Sequence, residues 1–151
     1  MLALYLSQMN SILSLNIRGL GGHLKFLVLR DLFTFSKSNI ILIQETMHNA
    51  TQTVEYFRRM LPNWYIVATD ANGRSGRLAV FWDPRGENLK AFSCIIGILL
   101  TGKPKGIPGR SHILNMYAPY KDRERFCDIV EVSGILNDPS LILVGDLNYT
   151  L

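Results

Sequence analysis

The residues best suited to chemistry in this sequence lie close to its end. Asp146 and Asn148 follow the aliphatic run of residues 141–144, and Gly145 removes side-chain bulk where that run stops. An uninterrupted aliphatic run predicts a strand buried on both faces, and in extended backbone Asp146 and Asn148 point to the same side. A carboxylate and an amide at the mouth of such a strand could form a reactive centre. The alternative, which this stretch alone favours, is an ordinary turn, because Asp, Asn and Gly are common turn residues.

Three further polar side chains stand where apolar segments end. Asn16, Glu45 and Tyr117 each close or follow such a segment, and we expect converging strand ends to bring them to Asp146 and Asn148. Carboxylate and amide oxygens are hard ligands that suit Mg²⁺ or Mn²⁺ better than Zn²⁺. Taken one at a time, a loop cap, a solvated strand end and a core tyrosine are competing interpretations of these three residues.

The pattern of apolar residues predicts strands and helices within one domain. The predicted strands are residues 11–16, 39–46, 64–69, 77–82, 89–101, 112–117 and 141–148, and the predicted helices are residues 24–35, 53–61 and 121–136. The inner face expected for the first helix consists of Leu24, Leu27, Val28, Leu32 and Phe35. Thr53 is the expected N-cap of the second helix, and a turn is predicted at residues 70–73.

Composition limits the classes of protein that the chain can be. Its 151 residues, 48% hydrophobic and 19% charged, indicate a globular domain with a real core. A formal charge of +4 is compatible with a polyanionic partner without requiring one. The basic loop of residues 102–110 could touch phosphates, but a solvated hairpin loop is favoured. Cys94 and Cys127 have no metal-ligand spacing, so we expect reduced, buried thiols.

We expect no targeting signal and no membrane span from the apolar segments of the sequence. The apolar stretch of residues 1–6 lacks a basic segment before it and is a poor signal peptide. The longest apolar patch, residues 94–100, is too short to cross a bilayer as a helix. The glycine-rich loop of residues 19–22 fails the dinucleotide fingerprint, because Leu24 stands at the third glycine position. We therefore expect an intracellular protein, nuclear or cytoplasmic, with no membrane partner.

Four short motifs, in this order, resemble the endonuclease/exonuclease/phosphatase superfamily, which includes deoxyribonuclease I and the apurinic/apyrimidinic endonucleases. The motifs are Leu15-Asn16-Ile17-Arg18-Gly19-Leu20, Ile43-Gln44-Glu45-Thr46, Asn115-Met116-Tyr117-Ala118-Pro119 and Val144-Gly145-Asp146-Leu147-Asn148. The first, the third and the segment of residues 74–80 look most like the endonuclease domain of plant LINE-type non-LTR retrotransposons. The resemblance runs from about Ser11 to the end of the chain.

The resemblance implies a fold and a reaction. The fold would be α+β, a four-layer deoxyribonuclease I-like sandwich, with residues 1–10 as an N-terminal extension and residues 11–151 as a partial domain. It implies that the first sheet is largely complete and the second mostly missing, which would expose an apolar face of the first sheet. The implied reaction is hydrolysis of a phosphodiester in DNA, assisted by Mg²⁺ or Mn²⁺.

The resemblance also implies a role for each matched residue. Glu45 would hold the divalent cation, with Asn16 arranging ligands and phosphate. Asp146 would orient and deprotonate the attacking water. Asn148 and the Tyr117 hydroxyl would donate hydrogen bonds to phosphate oxygens as negative charge builds there.

Several positions depart from the family pattern. Arg18 stands where repair enzymes tend to carry an acidic residue, which favours the retrotransposon branch. Tyr120 replaces an asparagine, and Arg77 replaces a glycine. The family's final Asp-His motif has no counterpart, because none of the three histidines lies in such a motif: His23, His48 and His112.

The missing motif predicts a C-terminally truncated nuclease domain with little or no activity of its own. Two alternatives stay open. The chain could be a catalytically dead relic or nucleic-acid-binding fragment of the same ancestry. It could instead be another phosphodiesterase of the same fold, such as those acting on inositol phosphates or sphingolipids. The sequence indicates no obligate protein partner.

Overall fold

The computed structural model describes residues 12–70 and 77–148. Within them the elements are β1 (Ile12–Asn16), α1 (His23–Ser36), β2 (Ile40–Gln44), α2 (Ala50–Arg58), β3 (Tyr65–Ala68), β4 (Leu78–Trp82), β5 (Asn88–Cys94), β6 (Gly97–Lys103), β7 (Ser111–Tyr117), α3 (Arg123–Val132), a 3₁₀ turn (Ile135–Asn137) and β8 (Leu141–Asp146). The N-terminal extension predicted at residues 1–10, most of the turn predicted at residues 70–73, and residues 74–76 lie outside the described residues.

The strands form two four-stranded mixed sheets. The first has the order β1-β2-β4-β3 and the second β5-β6-β7-β8. The β1–β2 and β7–β8 pairs are parallel and the others antiparallel. The prediction of an α+β sandwich is confirmed.

The division of strands between the sheets differs from the expectation. The second sheet, expected to be mostly missing, has as many strands as the first. Residues 89–101, predicted as one strand, form the hairpin of β5 and β6. Its turn at Ile95 and Ile96 was hidden because it lies inside an apolar run. Gly97 follows at φ +158°, where a Cβ atom would lie 2.1 Å from the carbonyl oxygen of Asn115.

The two sheets bury their inner faces against each other. Ile40, Leu42 and Val80 of the first sheet pack with Leu100 and Ile113 of the second, and all five are fully buried. The expected exposed apolar face is therefore covered, because β5, β6 and β7 lie over it. Burial of this kind is the main force holding two sheets together.

Helices cover the outer faces and complete four layers. Phe33 of α1 and Phe57 of α2 pack on Phe81 of the first sheet, and Val130 of α3 packs on Met116 of the second.

The face predicted for α1 is wrong in part, since of its members Leu32 does pack against the core. Leu29 and Phe33 are buried, whereas Leu24, Val28 and Phe35 are exposed. The helix carries apolar residues on more than one side, so spacing alone did not identify the buried stripe. The predicted cap of α2 is also wrong. Asn49 and Gln52, rather than Thr53, form a capping box at its start.

β8 is an edge strand, not the strand buried on both faces that its aliphatic run predicted. Within the described residues it pairs only with β7, and Leu143 is 40% exposed. An edge position cannot be read from local composition, because it depends on the order of the strands. Cys94 and Cys127 are exposed, contrary to the expectation of buried thiols. No helix among the described residues is long and apolar enough to cross a bilayer.

Candidate active site

Polar side chains occupy one end of the space between the two sheets. Period-two alternation turns every second residue of each strand inward, and toward the C-terminal ends of β1, β2, β7 and β8 these inward residues change from aliphatic to polar. The inward polar residues are Ser14, Asn16, Gln44, Asn115, Tyr117 and Asp146. The apolar core therefore ends in a polar cluster that opens at the strand ends.

Asn16 joins the two sheets at this end. Its Nδ2 donates to Glu45 Oε1 at 3.0 Å and to Asp146 Oδ2 at 3.0 Å. Its Oδ1 accepts from the backbone N–H of Arg18 at 3.2 Å. Both hydrogens of one amide group are thus shared between a carboxylate of the first sheet and a carboxylate of the second.

We call the group formed by Asn16, Glu45, Tyr117, Asp146 and Asn148 the centre. The backbone at Glu45 turns its carboxylate toward Asn16 in this group. Continued strand alternation would place Glu45 on the outer face with Ile43, but Glu45 has φ +57°, which ends the strand and redirects the side chain. The Gly19 N–H donates to the Glu45 carbonyl at 2.6 Å.

Left-handed backbone recurs around the centre. Arg18, Met47 and Asn148 also have positive φ. Such conformations cost about 1–3 kcal/mol each and cluster at functional sites.

Tyr117 contacts both sheets through its hydroxyl. The hydroxyl hydrogen-bonds with Glu45 and with Asn148. Burial raises the pKa of Tyr117 above its ordinary value, and the neighbouring Glu45 carboxylate raises it further, while the hydrogen bond from Asn148 acts in the opposite direction. Tyr117 is therefore a protonated hydrogen-bond donor at neutral pH.

The terminal motif is both a strand end and a turn. β8 continues through Asp146, and the chain then turns. The Asn148 N–H donates to Asp146 Oδ1 at 2.8 Å, and Asn148 Nδ2 donates to the Ala118 carbonyl at 2.6 Å. Asp146 therefore closes its own turn with one oxygen and binds Asn16 with the other. All five candidate residues lie together: Asn16, Glu45, Tyr117, Asp146 and Asn148.

The donor set fits a hard divalent cation. Two carboxylates, Glu45 and Asp146, point at the same nitrogen of Asn16, so their oxygens converge on one region. Oxygen-only donor sets of this kind suit Mg²⁺ or Mn²⁺. Among residues 12–70 and 77–148, no three His, Cys, Asp or Glu side chains form a group that could hold a metal by themselves, so amide oxygens would have to contribute.

Two features noted in the sequence lie at the other end of the strands. β6 ends at Lys103 and β7 begins at Ser111, so the basic loop between them is opposite to Tyr117. His112 Nε2 lies 3.5 Å from Asp138 Oδ2, and this pair also stands at the start of β7 and β8. It cannot take the place of an Asp-His motif at the centre.

A shallow depression of about 420 Å³ lies between the loop after β1 and helix α2. Its polar lining consists of His48, Gln52, Glu55, Tyr56 and Arg59. The Arg59 guanidinium is held over the rings of Phe26 and Tyr56, at 5.0 and 5.4 Å from their centroids. The sequence analysis did not find this surface, because its members come from separate loops and helices.

Gln44 and Asn115 are the other residues that the sequence analysis missed. Both stood inside quoted motifs without a role. The sequence feature that could have identified them is an amide at an inward position of an otherwise aliphatic strand. A buried amide in such a core needs hydrogen-bond partners.

Three solved structures illustrate the likeness of this chain to proteins with the same fold. D. rerio TDP2 complexed with a single-strand DNA product is 14% identical, with a TM-score of 0.66, over 96% of this chain and 63% of that one. An AP endonuclease from Archaeoglobus fulgidus is 16% identical, with a TM-score of 0.62, over 93% and 58%. The human Nocturnin catalytic domain with a bound sulfate anion is 16% identical, with a TM-score of 0.66, over 97% and 67%.

These comparisons establish the fold. No protein-family model matches the sequence, and no curated protein sequence matches it. The chain spans between 58% and 67% of the length of the three structures. Because the identities are low, the likeness shows the fold alone, which is a deoxyribonuclease I-like sandwich.

Proposed function

We propose that this chain carries the active centre of a divalent-metal-dependent phosphodiester hydrolase that acts on DNA. One observation carries the proposal: the Asn16 amide lies 3.0 Å from the carboxylates of both Glu45 and Asp146 and so joins the two sheets at one point. The fold shared with a TDP2, an AP endonuclease and Nocturnin supports it.

Glu45 and Asn16 are the residues that would hold the cation. The Glu45 carboxylate already faces the centre, and the Asn16 side chain can present its oxygen once its amide no longer bridges the carboxylates. A bound Mg²⁺ or Mn²⁺ would supply Lewis-acid polarisation of a phosphoryl oxygen.

The other three residues act on water and on phosphate. Asp146 is free of any cationic partner among the described side chains, and its carboxylate can orient a water and accept its proton. Tyr117 keeps its proton at neutral pH, so its hydroxyl can turn from Glu45 to donate to a phosphate oxygen. Asn148 Nδ2 gives one hydrogen to the Ala118 carbonyl at 2.6 Å, and its other hydrogen becomes available to a phosphate oxygen when the Tyr117 hydroxyl turns away.

DNA is the substrate class that the surroundings favour. The depression between the loop after β1 and helix α2 presents Arg59 and His48 beside Glu55, and the two basic side chains could contact a phosphate backbone. One solved TDP2 with this fold holds a single-strand DNA product. The finer proposal, an endonuclease of LINE-type retroelement origin, is supported by the sequence motifs.

We expect weak turnover from these 151 residues. Among the described residues, none of the three histidines hydrogen-bonds to the five residues of the centre: His23, His48 and His112. Reaction units of several residues lose orders of magnitude in rate when one member is missing.

The test is nicking of supercoiled plasmid by the purified chain, with Mg²⁺ and with EDTA. We expect slow nicking that EDTA abolishes and that Asp146→Ala reduces about 100-fold or more. Asp138→Ala is the matched control, because it removes a carboxylate from the opposite end of β8. Nicking that persists in EDTA, or that survives Asp146→Ala, contradicts the proposal. DNA binding without any nicking would favour the relic or binding fragment instead.

A further inference from the structure

Two buried amides lie in the apolar core between the sheets, next to the candidate active site but outside it. Asn115 is fully buried and Gln44 is 2% exposed. Gln44 Nε2 donates to Asn115 Oδ1 at 2.7 Å and to Ser14 Oγ at 3.1 Å. Asn115 Nδ2 donates to the carbonyl oxygens of Ile43 and Ala79, both at 3.1 Å.

Three of these four hydrogen bonds cross from one sheet to the other, and the bond to Ser14 joins β2 to β1 within the first sheet. Asn115 belongs to β7 of the second sheet, whereas Gln44, Ile43 and Ala79 belong to β2 and β4 of the first. All the amide hydrogens of the two side chains are used. A shift of one sheet over the other would break several bonds at once and leave polar atoms unpaired in an apolar core, which is strongly unfavourable.

Each amide is close in sequence to a residue of the centre. Gln44 directly precedes Glu45, and Asn115 lies two residues before Tyr117 on the same inward face. Glu45 and Tyr117 are hydrogen-bonded to each other across the sheets. The network therefore fixes the two strand ends from which these side chains extend.

We propose that Asn115 and Gln44 are positioning residues that lock the C-terminal ends of β2 and β7 together. They hold Glu45 and Asn16 of the first sheet at bonding distance from Tyr117 and Asp146 of the second before any ligand binds. The catalytic meaning of this lock rests on the proposed function, whereas its effect on the geometry of the centre does not.

The main test is the double variant Gln44→Leu/Asn115→Leu. It removes every hydrogen bond of the network and leaves no amide side chain unpaired, so it should cost less stability than a variant that keeps one of the two amides. We expect the single variant Asn115→Leu, which leaves the Gln44 amide unpaired, to melt at a lower temperature than the double variant.

The first measurement needs no metal and no activity. NMR spectra of the Asn16 side-chain amide report its hydrogen bonds to the two carboxylates. In the double variant we expect this signal to move and its protection from exchange to fall about tenfold or more, as local opening becomes easier. A loss of stability alone would not move the signal while the protein stays folded.

The second measurement is the affinity for Mn²⁺ by titration. Residues that support metal ligands typically change affinity by about 10–100-fold, and we expect a loss in that range. Thr101→Val is the matched control. It removes a buried hydroxyl from the far end of β6, where the described residues offer that oxygen no hydrogen-bond partner, and should change neither readout.

The outcomes separate the two proposals. An unchanged Asn16 signal in a folded double variant overturns the lock. If that variant does not fold, Asn115→Asp keeps the acceptor for Gln44 and removes the two donors, and an unchanged signal there overturns it equally. A moved Asn16 signal in a chain whose wild type binds no Mn²⁺ supports the lock and contradicts the proposed metal site.

Discussion

The Asn16 amide holds two carboxylates together. Its amide nitrogen stands between the carboxylates of Glu45 and Asp146, where it reduces the repulsion between two negative charges held close together. At the proposed site, a cation held by Glu45 and Asn16 would take over part of that role. Until a cation binds, the amide keeps the two carboxylates oriented.

At the level of single residues, we predict that Glu45→Gln lowers the pKa of Tyr117. The carboxylate beside the hydroxyl disfavours the phenolate, so its removal makes ionisation easier. The pKa should stay above the ordinary tyrosine value, because burial is the larger cause. NMR titration of the tyrosine ring carbons measures it.

Asp146→Asn is the matched control for this titration. It removes an equal charge from the neighbouring carboxylate, which bonds to Asn16 rather than to Tyr117. We expect a smaller change in the pKa of Tyr117 than in Glu45→Gln. An equal fall in both variants, or no fall in either, would contradict the assigned cause.

Among the elements, β8 depends on one residue without a side chain. Gly145 has φ +138°, and a Cβ atom there would lie 1.8 Å from the carbonyl oxygen of Met116 on β7. The strand that carries Asp146 can pair closely with β7 only because this position is glycine.

We predict that Gly145→Ala lowers the free energy of unfolding by about 2–4 kcal/mol, because β8 must move away from β7 or adopt strained backbone. Urea denaturation followed by tryptophan fluorescence measures the change. Gly86→Ala is the control, since a Cβ atom there meets only the Asn39 side chain at 3.7 Å, and its effect should stay within about 0.5 kcal/mol. Equal stability of Gly145→Ala and wild type would show that the strand pairing is looser than described.

For the whole molecule, sequence patterns predicted the α+β sandwich and the meeting of the polar strand ends, but not the hairpin or the buried amides. Glu45 and Asp146 each stand two residues after an aliphatic run, so the ends of these runs were enough to place both at strand ends. Alternation alone would have turned Glu45 outward, and its positive φ could not be read from the sequence. The hairpin turn at Ile95 was missed because two isoleucines give no turn signal. The roles of Gln44 and Asn115 were missed because a buried amide is recognised by its partners, and those partners lie on the opposite sheet.

The order of the strands also leaves strand edges unpaired, which cannot be predicted from local sequence. β1 and β8 are the outer strands at one side of the sandwich, and within the described residues each leaves one edge unpaired. Neither strand contains lysine, arginine or proline, the residues that natural proteins use to protect such edges.

We predict that the 151-residue chain self-associates with rising concentration through these edges. Leu143→Lys, at an exposed position of β8, should shift the sedimentation velocity profile toward monomer. Val132→Lys makes the same kind of change on α3, where the side chain is 87% exposed, and should leave association unchanged. Equal effects of the two variants would point to general surface hydrophobicity rather than to the strand edge.

The bond between Asn16 and Asp146 has a consequence for the timing of biosynthesis. These residues are 130 positions apart in the chain, and translation at ordinary speed takes on the order of ten seconds to cover that distance. A nascent chain that has emerged only as far as β7 contains Asn16, Glu45 and Tyr117. It still lacks Asp146, whose carboxylate accepts the hydrogen bond from Asn16. Contacts between such distant residues also form slowly. The centre is therefore completed only after β8 has left the ribosome and docked beside β7.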